Sequence, residues 1–260
     1  MNDKTKDKEH SDSRSVAPAI FLEKVCFSYL GEEIFKSLDF KVEAGQWTCL
    51  IGPSGVGKST LLQLISGSLR EGFSGNIWFG EGSSGNGITA WMAQKDLLLP
   101  WLSVLDNVCL GARLRGNLTD DVRQKAVCLI EDVGLKAYID ALPSTLSGGM
   151  RQRVALLRTL MEDRPVILMD EPFSALDALT RLKLQDLAAR LVKGATVLMV
   201  THDPLEALRL GHRIHVMTGR PAQMSEALIP PGLPPRRPGD PEVISLQAKL
   251  LERLEAGLNA

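Results

Sequence analysis

Nine residues, Gly52-Pro53-Ser54-Gly55-Val56-Gly57-Lys58-Ser59-Thr60, constrain this 260-residue chain more than anything else in it. They match the phosphate-binding loop GxxxxGK[ST], and their flanks are the ones that pattern requires. The apolar run 48–51 leads in as a strand. Leu61, Leu62, Leu64 and Ile65 lead out at helical spacing as far as Gly67. The glycines let the backbone wrap closely round a polyphosphate, so that N–H groups and the helix N-terminus point at it. Lys58 is placed to bind the β- and γ-phosphates, and Ser59 to ligate Mg²⁺.

Two more continuous apolar runs, 166–169 and 196–200, flank a helical stretch over 178–193. Such strands alternating with helices indicate a parallel sheet covered on both faces. The first run ends in Asp170-Glu171. Asp170 suits the Mg²⁺ shell, and Glu171 can polarise an attacking water. The second ends in Thr201-His202-Asp203. Taken alone, an Asp-Glu pair after a strand is also what a surface cap looks like, and a lone His is often structural. Three parallel strands that each deliver polar chemistry at the carboxyl end, however, favour one nucleotide site, because open α/β sheets hold their ligands there. The residues thus point to a Mg²⁺-dependent nucleotidase with a carboxylate and a His facing the γ-phosphate.

The rest of the chain organises around that core. Residues 1–17 are polar and charged and read as a disordered arm. Extended patterns at 20–25 and 38–42 are separated by the turn-like Gly31-Glu32-Glu33, and 72–87 reads as turns between edge strands, with a short strand at 77–79 and a loop over 80–87. A helix is expected from Ser103, with Val104, Val108 and Ala112 on one face and Ser103 with Asp106 as a capping box. A second runs from about Thr119 to Gly134, and a third follows Ser147. Residues 230–241 carry six of the fourteen prolines and read as a stiff extended connection. An amphipathic helix with Leu246, Leu250, Leu254 and Leu258 closes the chain.

Composition removes several function classes. Lys plus Arg total 30 against 31 for Asp plus Glu, so charge makes no case for nucleic-acid binding. No apolar run approaches the roughly 18 residues of a membrane span, and the first residues lack the apolar stretch of a signal peptide. Cys26, Cys49, Cys109 and Cys128 are scattered, which excludes a zinc ribbon and suggests a reducing compartment.

One segment decides between families. Leu146-Ser147-Gly148-Gly149-Met150-Arg151-Gln152-Arg153 resembles the signature of ATP-binding-cassette ATPases. The family's other motifs follow in order over 20–220. Tyr29 resembles the aromatic residue that stacks on adenine, Gln94 the Q-loop glutamine, Ser174-Ala175-Leu176-Asp177 the D-loop, and His202 the switch histidine. The resemblance implies a P-loop NTPase fold of the ABC-ATPase type: a RecA-like core, an antiparallel β subdomain and an α-helical signature subdomain at about 96–163. It implies an ATPase domain over 18–228 and a proline-rich connection with a C-terminal helix over 229–260. Two cassettes then pair head to tail as a homodimer, with Ser147, Gly148, Gly149 and Met150 of one facing the γ-phosphate held by Lys58 of the other. Glu171 takes the part of general base and His202 of γ-phosphate sensor. Gln94 joins Ser59 and Asp170 at Mg²⁺ and couples them to a membrane partner.

Within the family, Gln94-Lys95-Asp96-Leu97-Leu98-Leu99-Pro100-Trp101 followed by Ser103-Val104-Leu105-Asp106-Asn107-Val108 resembles importers of the nitrate/sulfonate/taurine group. The stretches 91–94 and 111–116 resemble most closely its branch for the hydroxymethylpyrimidine precursor of thiamine. That implies an ATPase subunit lying peripherally on the cytoplasmic face of the inner membrane. Its partners are two transmembrane permease subunits and, through them, a periplasmic or lipid-anchored solute-binding protein. The 97–101 turn becomes an apolar socket for a partner helix. His212 and His215 read as strand-edge residues. A soluble non-transport cassette ATPase and an export ATPase stay open as alternatives, since the motor motifs do not encode direction.

Overall fold

The structure is a computed structural model that describes residues 17–82 and 87–258. The expected disordered arm therefore lies outside the described residues except at its last position. There Ala17 is buried, and the Pro18 carbonyl accepts a hydrogen bond from Thr196 Oγ1 at 2.8 Å. Ala17 belongs to the folded unit rather than to the arm.

The strands are β1 (Ile20–Tyr29), β2 (Glu32–Val42), β3 (Trp47–Ile51), β4 (Phe73–Phe79), β5 (Thr89–Met92), β6 (Val166–Asp170), β7 (Thr196–Val200), β8 (Arg213–Thr218) and β9 (Gln223–Met224). The helices are α1 (Lys58–Ser66), α2 (Val104–Val108), α3 (Leu110–Leu114), α4 (Asp120–Asp132), α5 (Gly148–Leu160), α6 (Ala178–Leu191), α7 (Pro204–Leu210) and α8 (Pro241–Leu258). A six-stranded sheet runs β5-β6-β7-β3-β8-β9, parallel except for the last pair. A second sheet, β2-β1-β4, is antiparallel.

The central strands β3, β6 and β7 are buried on both faces, and successive side chains go to different cores. Ile51, Ile167, Met169, Val197 and Met199 pack with α5 and α6. Leu50, Val166, Leu168, Leu198 and Val200 pack with α1 and the antiparallel sheet. The period-2 alternation of a strand thus feeds two layers, which is why these runs are apolar throughout. Each fully buried aliphatic side chain contributes about 1.5–3 kcal/mol, so a polar substitution in β3, β6 or β7 is costly. In register, Asp170 lies opposite Val200, and Val200 opposite Leu50, so the three strands end together at one edge.

Several elements differ from their sequence expectation for visible reasons. The β1–β2 hairpin turns at Leu30-Gly31, both at positive φ, rather than over 31–33, and its strands are longer than expected. Lys24 and Ser37 also sit at positive φ beside register shifts, which breaks the alternation that would have revealed one long hairpin. β4 contains the short strand expected at 77–79 and starts four residues earlier, in the stretch read as turns; residues 83–86 lie outside the described residues. Beyond Ser103 there are two helices, α2 and α3, separated at Cys109, although Val104, Val108 and Ala112 are all buried as expected. The Ser103 cap forms: its Oγ accepts from Asp106 N at 3.1 Å and donates to Asp106 Oδ2 at 2.9 Å. α6 stops at Leu191, two residues early. The proline-rich connection is not simply extended: its backbone folds round Arg236, which is buried and donates to the carbonyls of Pro230, Pro231 and Gly232.

Candidate functional site

The 52–60 loop leaves β3 and enters α1 with the geometry its glycines permit. A Cβ on Gly52 would sit 2.2 Å from the Met217 carbonyl oxygen on β8. Gly57 caps α1 at φ 109°, left-handed backbone that strains any other residue, and a Cβ there would also press on Ile34 and Phe35 of β2. The loop is therefore clamped between the two sheets. Lys58 is buried, and its Nζ donates to the Gly52 and Pro53 carbonyls at 2.8 Å each. Burial pushes its pKa down, while Glu171 and Asp170 pull it up. An ammonium held by two carbonyls beside two carboxylates can exchange those carbonyls for phosphate oxygens.

Asp170 closes β6, buried, and its carboxylate takes a hydrogen bond from the Ser59 hydroxyl. Burial raises its pKa and that hydrogen bond opposes the rise. A hydroxyl and a carboxylate together at a phosphate loop are the hard oxygen donors that Mg²⁺ takes, the remaining positions being left to water and phosphates. The chemistry of the donor set fits the ion.

Glu171 is where the strand ends meet. Its φ of 50° is unusual for a non-glycine residue, and such backbone persists only where its surroundings hold it. They do so here. Glu171 N donates to the Val200 carbonyl at 2.9 Å, and the Glu171 carbonyl accepts from Gln152 Nε2 at 2.9 Å and Ser174 Oγ at 3.1 Å. The carboxylate is thereby aimed outward: His202 Nδ1 lies 3.2 Å from Oε1, and Gln94 Nε2 lies 3.5 Å from Oε2. The structure thus brings together three residues expected at one centre that are up to 108 positions apart in sequence (202 − 94).

Ser147 caps α5, its Oγ accepting from Met150 N at 3.3 Å. Within one chain, Gly148 lines a crevice of about 450 Å³ with Gln94, Lys95 and Arg151 rather than the 52–60 loop. A Cβ on Gly149 would sit 3.0 Å from the Ala175 carbonyl, so α5 is packed hard against the 174–177 turn. Asp177 caps α6, accepting from Thr180 N at 3.0 Å; hydrogen bonds from the Thr180 hydroxyl first, and then from its amide, hold the Asp177 pKa down. Tyr29 ends β1 at the hairpin tip, 63 % exposed, while β2 of the same hairpin packs on Gly57. His212 and His215 serve the sheet: Trp47 N donates to His212 Nδ1 at 3.0 Å, and the His215 ring meets Phe40 edge-on.

The turn after Gln94 is held by side chains to which the sequence assigned no structural part. Leu97 and Trp101 are exposed, 57 % and 71 %, while Leu98 between them is buried. Arg158 of α5 donates to the Asp96 and Leu97 carbonyls at 2.7 and 2.8 Å, and Arg151 pairs with Asp96 at 3.0 Å. Asn107, wholly buried, accepts from Leu99 N and donates to the carbonyls of Leu99, Leu102 and Ser103. Gln152 does the same for the other side: besides donating to the Glu171 carbonyl, it accepts from Ala175 N at 2.7 Å. Both signals were present in the sequence, as polar residues in the apolar stripes of α2 and α5.

Comparison with known proteins agrees with this geometry. A family model described as ABC transporter matches residues 35–174. An uncharacterized ABC transporter ATP-binding protein of Haemophilus influenzae is 43 % identical over 237 residues, covering 90 % of this chain and 97 % of that one. An aliphatic sulfonates import ATP-binding protein of Rhodococcus jostii is 42 % identical, covering 89 % and 91 %. A dimeric structure of a bacterial ABC transporter cassette superposes with a TM-score of 0.67 at 30 % identity, covering 76 % of this chain and 93 % of the other.

Proposed function

The chain belongs to the ABC transporter family as its ATP-binding subunit, an ATPase, and from that premise we propose that it powers a bacterial importer of a small organic anion of the aliphatic sulfonate type. The observation that carries the motor reading is the meeting of Gln94, Glu171 and His202 at the end of β6, beside Asp170, Ser59 and Lys58. Lys58 and the amides of the 52–60 loop bind the phosphates, and Tyr29 stacks on adenine. Glu171 takes a proton from the attacking water, and His202, whose Nδ1 lies 3.2 Å from its carboxylate, senses the γ-phosphate. Ser59, Asp170 and Gln94 would hold Mg²⁺, whose charge would offset that of the phosphates.

The second half of each site comes from another copy. Ser147 caps, and Gly148, Gly149 and Met150 begin, a thirteen-residue helix whose N-terminus suits an anion, and in one chain Gly148 borders Gln94 rather than Lys58. A head-to-tail homodimer supplies the γ-phosphate they lack, as in the family's dimeric cassettes. The exposed Leu97 and Trp101 receive a helix of a transmembrane permease, of which there are two, fed by a solute-binding protein outside the membrane. Among the described residues no helix is long and apolar enough to cross a membrane. On the importer reading, the permeases hold the chain at the cytoplasmic face.

The names of the relatives favour an aliphatic sulfonate. The thiamine-precursor branch is a second reading, resting on the stretches 91–94 and 111–116. The test is reconstitution of the full transporter with its binding protein, followed by ATPase assays with an alkanesulfonate, nitrate, taurine or hydroxymethylpyrimidine. Stimulation by the alkanesulfonate alone is the expected result. Stimulation by hydroxymethylpyrimidine alone would move the substrate to the second branch, and no coupling to any permease would refute the transport reading.

A further inference from the structure

The C-terminal segment has no part in the nucleotide chemistry proposed above, yet it grips the helix that follows His202. α7 is fastened at both ends. At its start, Asp203 caps it by accepting from Leu205 N at 2.8 Å, and Glu206 accepts from Thr201 Oγ1 at 2.6 Å. Arg181 of α6 lies 3.3 Å from Asp203 and 3.5 Å from Glu206.

At the far end stands Arg236, 6 % exposed. Its NH1 donates to the carbonyls of Leu208 and Gly211 at 2.9 and 2.8 Å. Its remaining donors go to Pro230, Pro231 and Gly232 at 2.9, 2.6 and 2.8 Å. Its own amide donates to the Arg209 carbonyl at 2.9 Å, and the Arg209 guanidinium donates back to the Arg236 carbonyl. Arg209 Nε in turn holds Gln185 Oε1 of α6 at 2.9 Å.

The last turn of a helix leaves carbonyls with no partner inside it, and it carries the negative end of the helix dipole. A planar guanidinium with five N–H donors satisfies both needs at once, which a lysine cannot. The proline-rich segment folds round the same cation, so its three carbonyls and those of α7 share one clamp. His202 is the residue immediately before the Asp203 cap, and its contact with Glu171 spans 3.2 Å. A slip of α7 by a single residue moves it about 1.5 Å along its axis, enough to break that contact.

We infer that Arg236 is a positioning residue for ATP hydrolysis: by pinning the C-terminal end of α7 it fixes where His202 meets Glu171. This rests on the part proposed for His202. The alternative is that Arg236 only attaches the tail, and a double-mutant cycle separates the two. The full-length chain is prepared as wild type, Arg236→Ala, His202→Ala and the double variant. Each is assayed for kcat, KM for ATP, affinity for a fluorescent ATP analogue and thermal midpoint.

The expected result for Arg236→Ala is a kcat about tenfold lower, with nucleotide affinity within about threefold of wild type. Millimolar guanidinium chloride restores part of that kcat, and potassium chloride at equal ionic strength does not. Added to His202→Ala, the Arg236 change lowers kcat by less than about twofold more, because both remove one interaction. If Arg236→Ala fails to fold, Arg236→Lys carries the cycle: it keeps the charge but cannot reach five carbonyls. Effects that multiply in the double variant, or nucleotide affinity that falls with kcat, or an unchanged kcat, overturn the inference. A His202→Ala variant with wild-type kcat refutes instead the part given to His202.

Discussion

Replacing Asn107 by alanine should destabilise the fold by about 3 kcal/mol, and the figure follows from its contacts. The side chain is wholly buried and makes four hydrogen bonds, all to the backbone of the 99–103 turn. Two of the backbone groups keep another partner: the Leu99 carbonyl still accepts from Leu102 N at 3.1 Å, and the Ser103 carbonyl from Asn107 N at 2.9 Å. Leu99 N and the Leu102 carbonyl lose theirs, at about 1–3 kcal/mol each, and a small cavity adds to the sum. Asn107→Asp is the sharper variant. It keeps an acceptor for Leu99 N but turns a carboxylate oxygen toward three carbonyls. It should cost at least as much at neutral pH and recover as the pH falls and the carboxyl protonates. Urea unfolding followed by tryptophan emission reads both, with Trp101 in the turn itself as a local reporter. A cost under about 1 kcal/mol for Asn107→Ala, or an Asn107→Asp variant as stable as wild type, would show that the turn holds its shape without this side chain.

Glu171→Gln keeps the size of the side chain and removes the base, so hydrolysis should slow on the order of 10²–10⁴-fold while ATP still binds; gel filtration with ATP should then show an accumulated dimer, and a variant that hydrolyses at the wild-type rate would remove the carboxylate from the chemistry. Glu206 is buried beside Asp203, and its pKa is pushed up to about 6 from 4.5 by burial first of all. The folded state therefore binds this proton more tightly than the unfolded chain, and stability falls as pH rises through the window from about 4.5 to 6. Glu206→Gln mimics the protonated form, so its stability relative to wild type should improve by about 2 kcal/mol between pH 4.5 and 7; a gap that stays constant or narrows contradicts the assignment. Trp101→Ala should spare basal ATP hydrolysis and weaken capture of the transmembrane subunits by roughly 2 kcal/mol, about thirtyfold, whereas crippled basal hydrolysis would make the turn part of the cassette core.

The central sheet was legible because β3, β6 and β7 serve two cores at once, which leaves a continuous apolar run that no solvent-facing residue interrupts. The antiparallel hairpin was only half legible. Lys24 and Ser37, at φ 46° and 51°, shift the register on both strands, so the alternation that marks a half-buried strand restarts in the middle of each. The break between α2 and α3 is likewise silent in the sequence. Val104, Val108 and Ala112 keep one stripe across it, and only the backbone at Cys109, with ψ of 0°, ends the first helix.

The candidate site divides along the same line between local and distant causes. The 52–60 loop is a local object: its glycines, lysine and flanking elements lie within a few residues, and spacing suffices to place them. Asp170, Glu171 and His202 were visible because parallel strands deliver their carboxyl ends to one edge, a rule of topology that needs no knowledge of the contacts. Gln152 and Asn107 had a weaker signal, a polar group where helical spacing demands an apolar one. Such a residue must find buried partners, and both find the backbone of an irregular turn beside the site. Arg236 had none. An arginine between prolines and a second arginine has the surroundings of a solvated tail, and only the folded chain supplies the five carbonyls that make its burial favourable. Those carbonyls are left over from the end of α7 and from a segment too rich in proline to pair with itself. The cation is buried where two pieces of backbone each lack donors, and that shortage is fixed by the packing of α7 and the tail together rather than by any pattern within either.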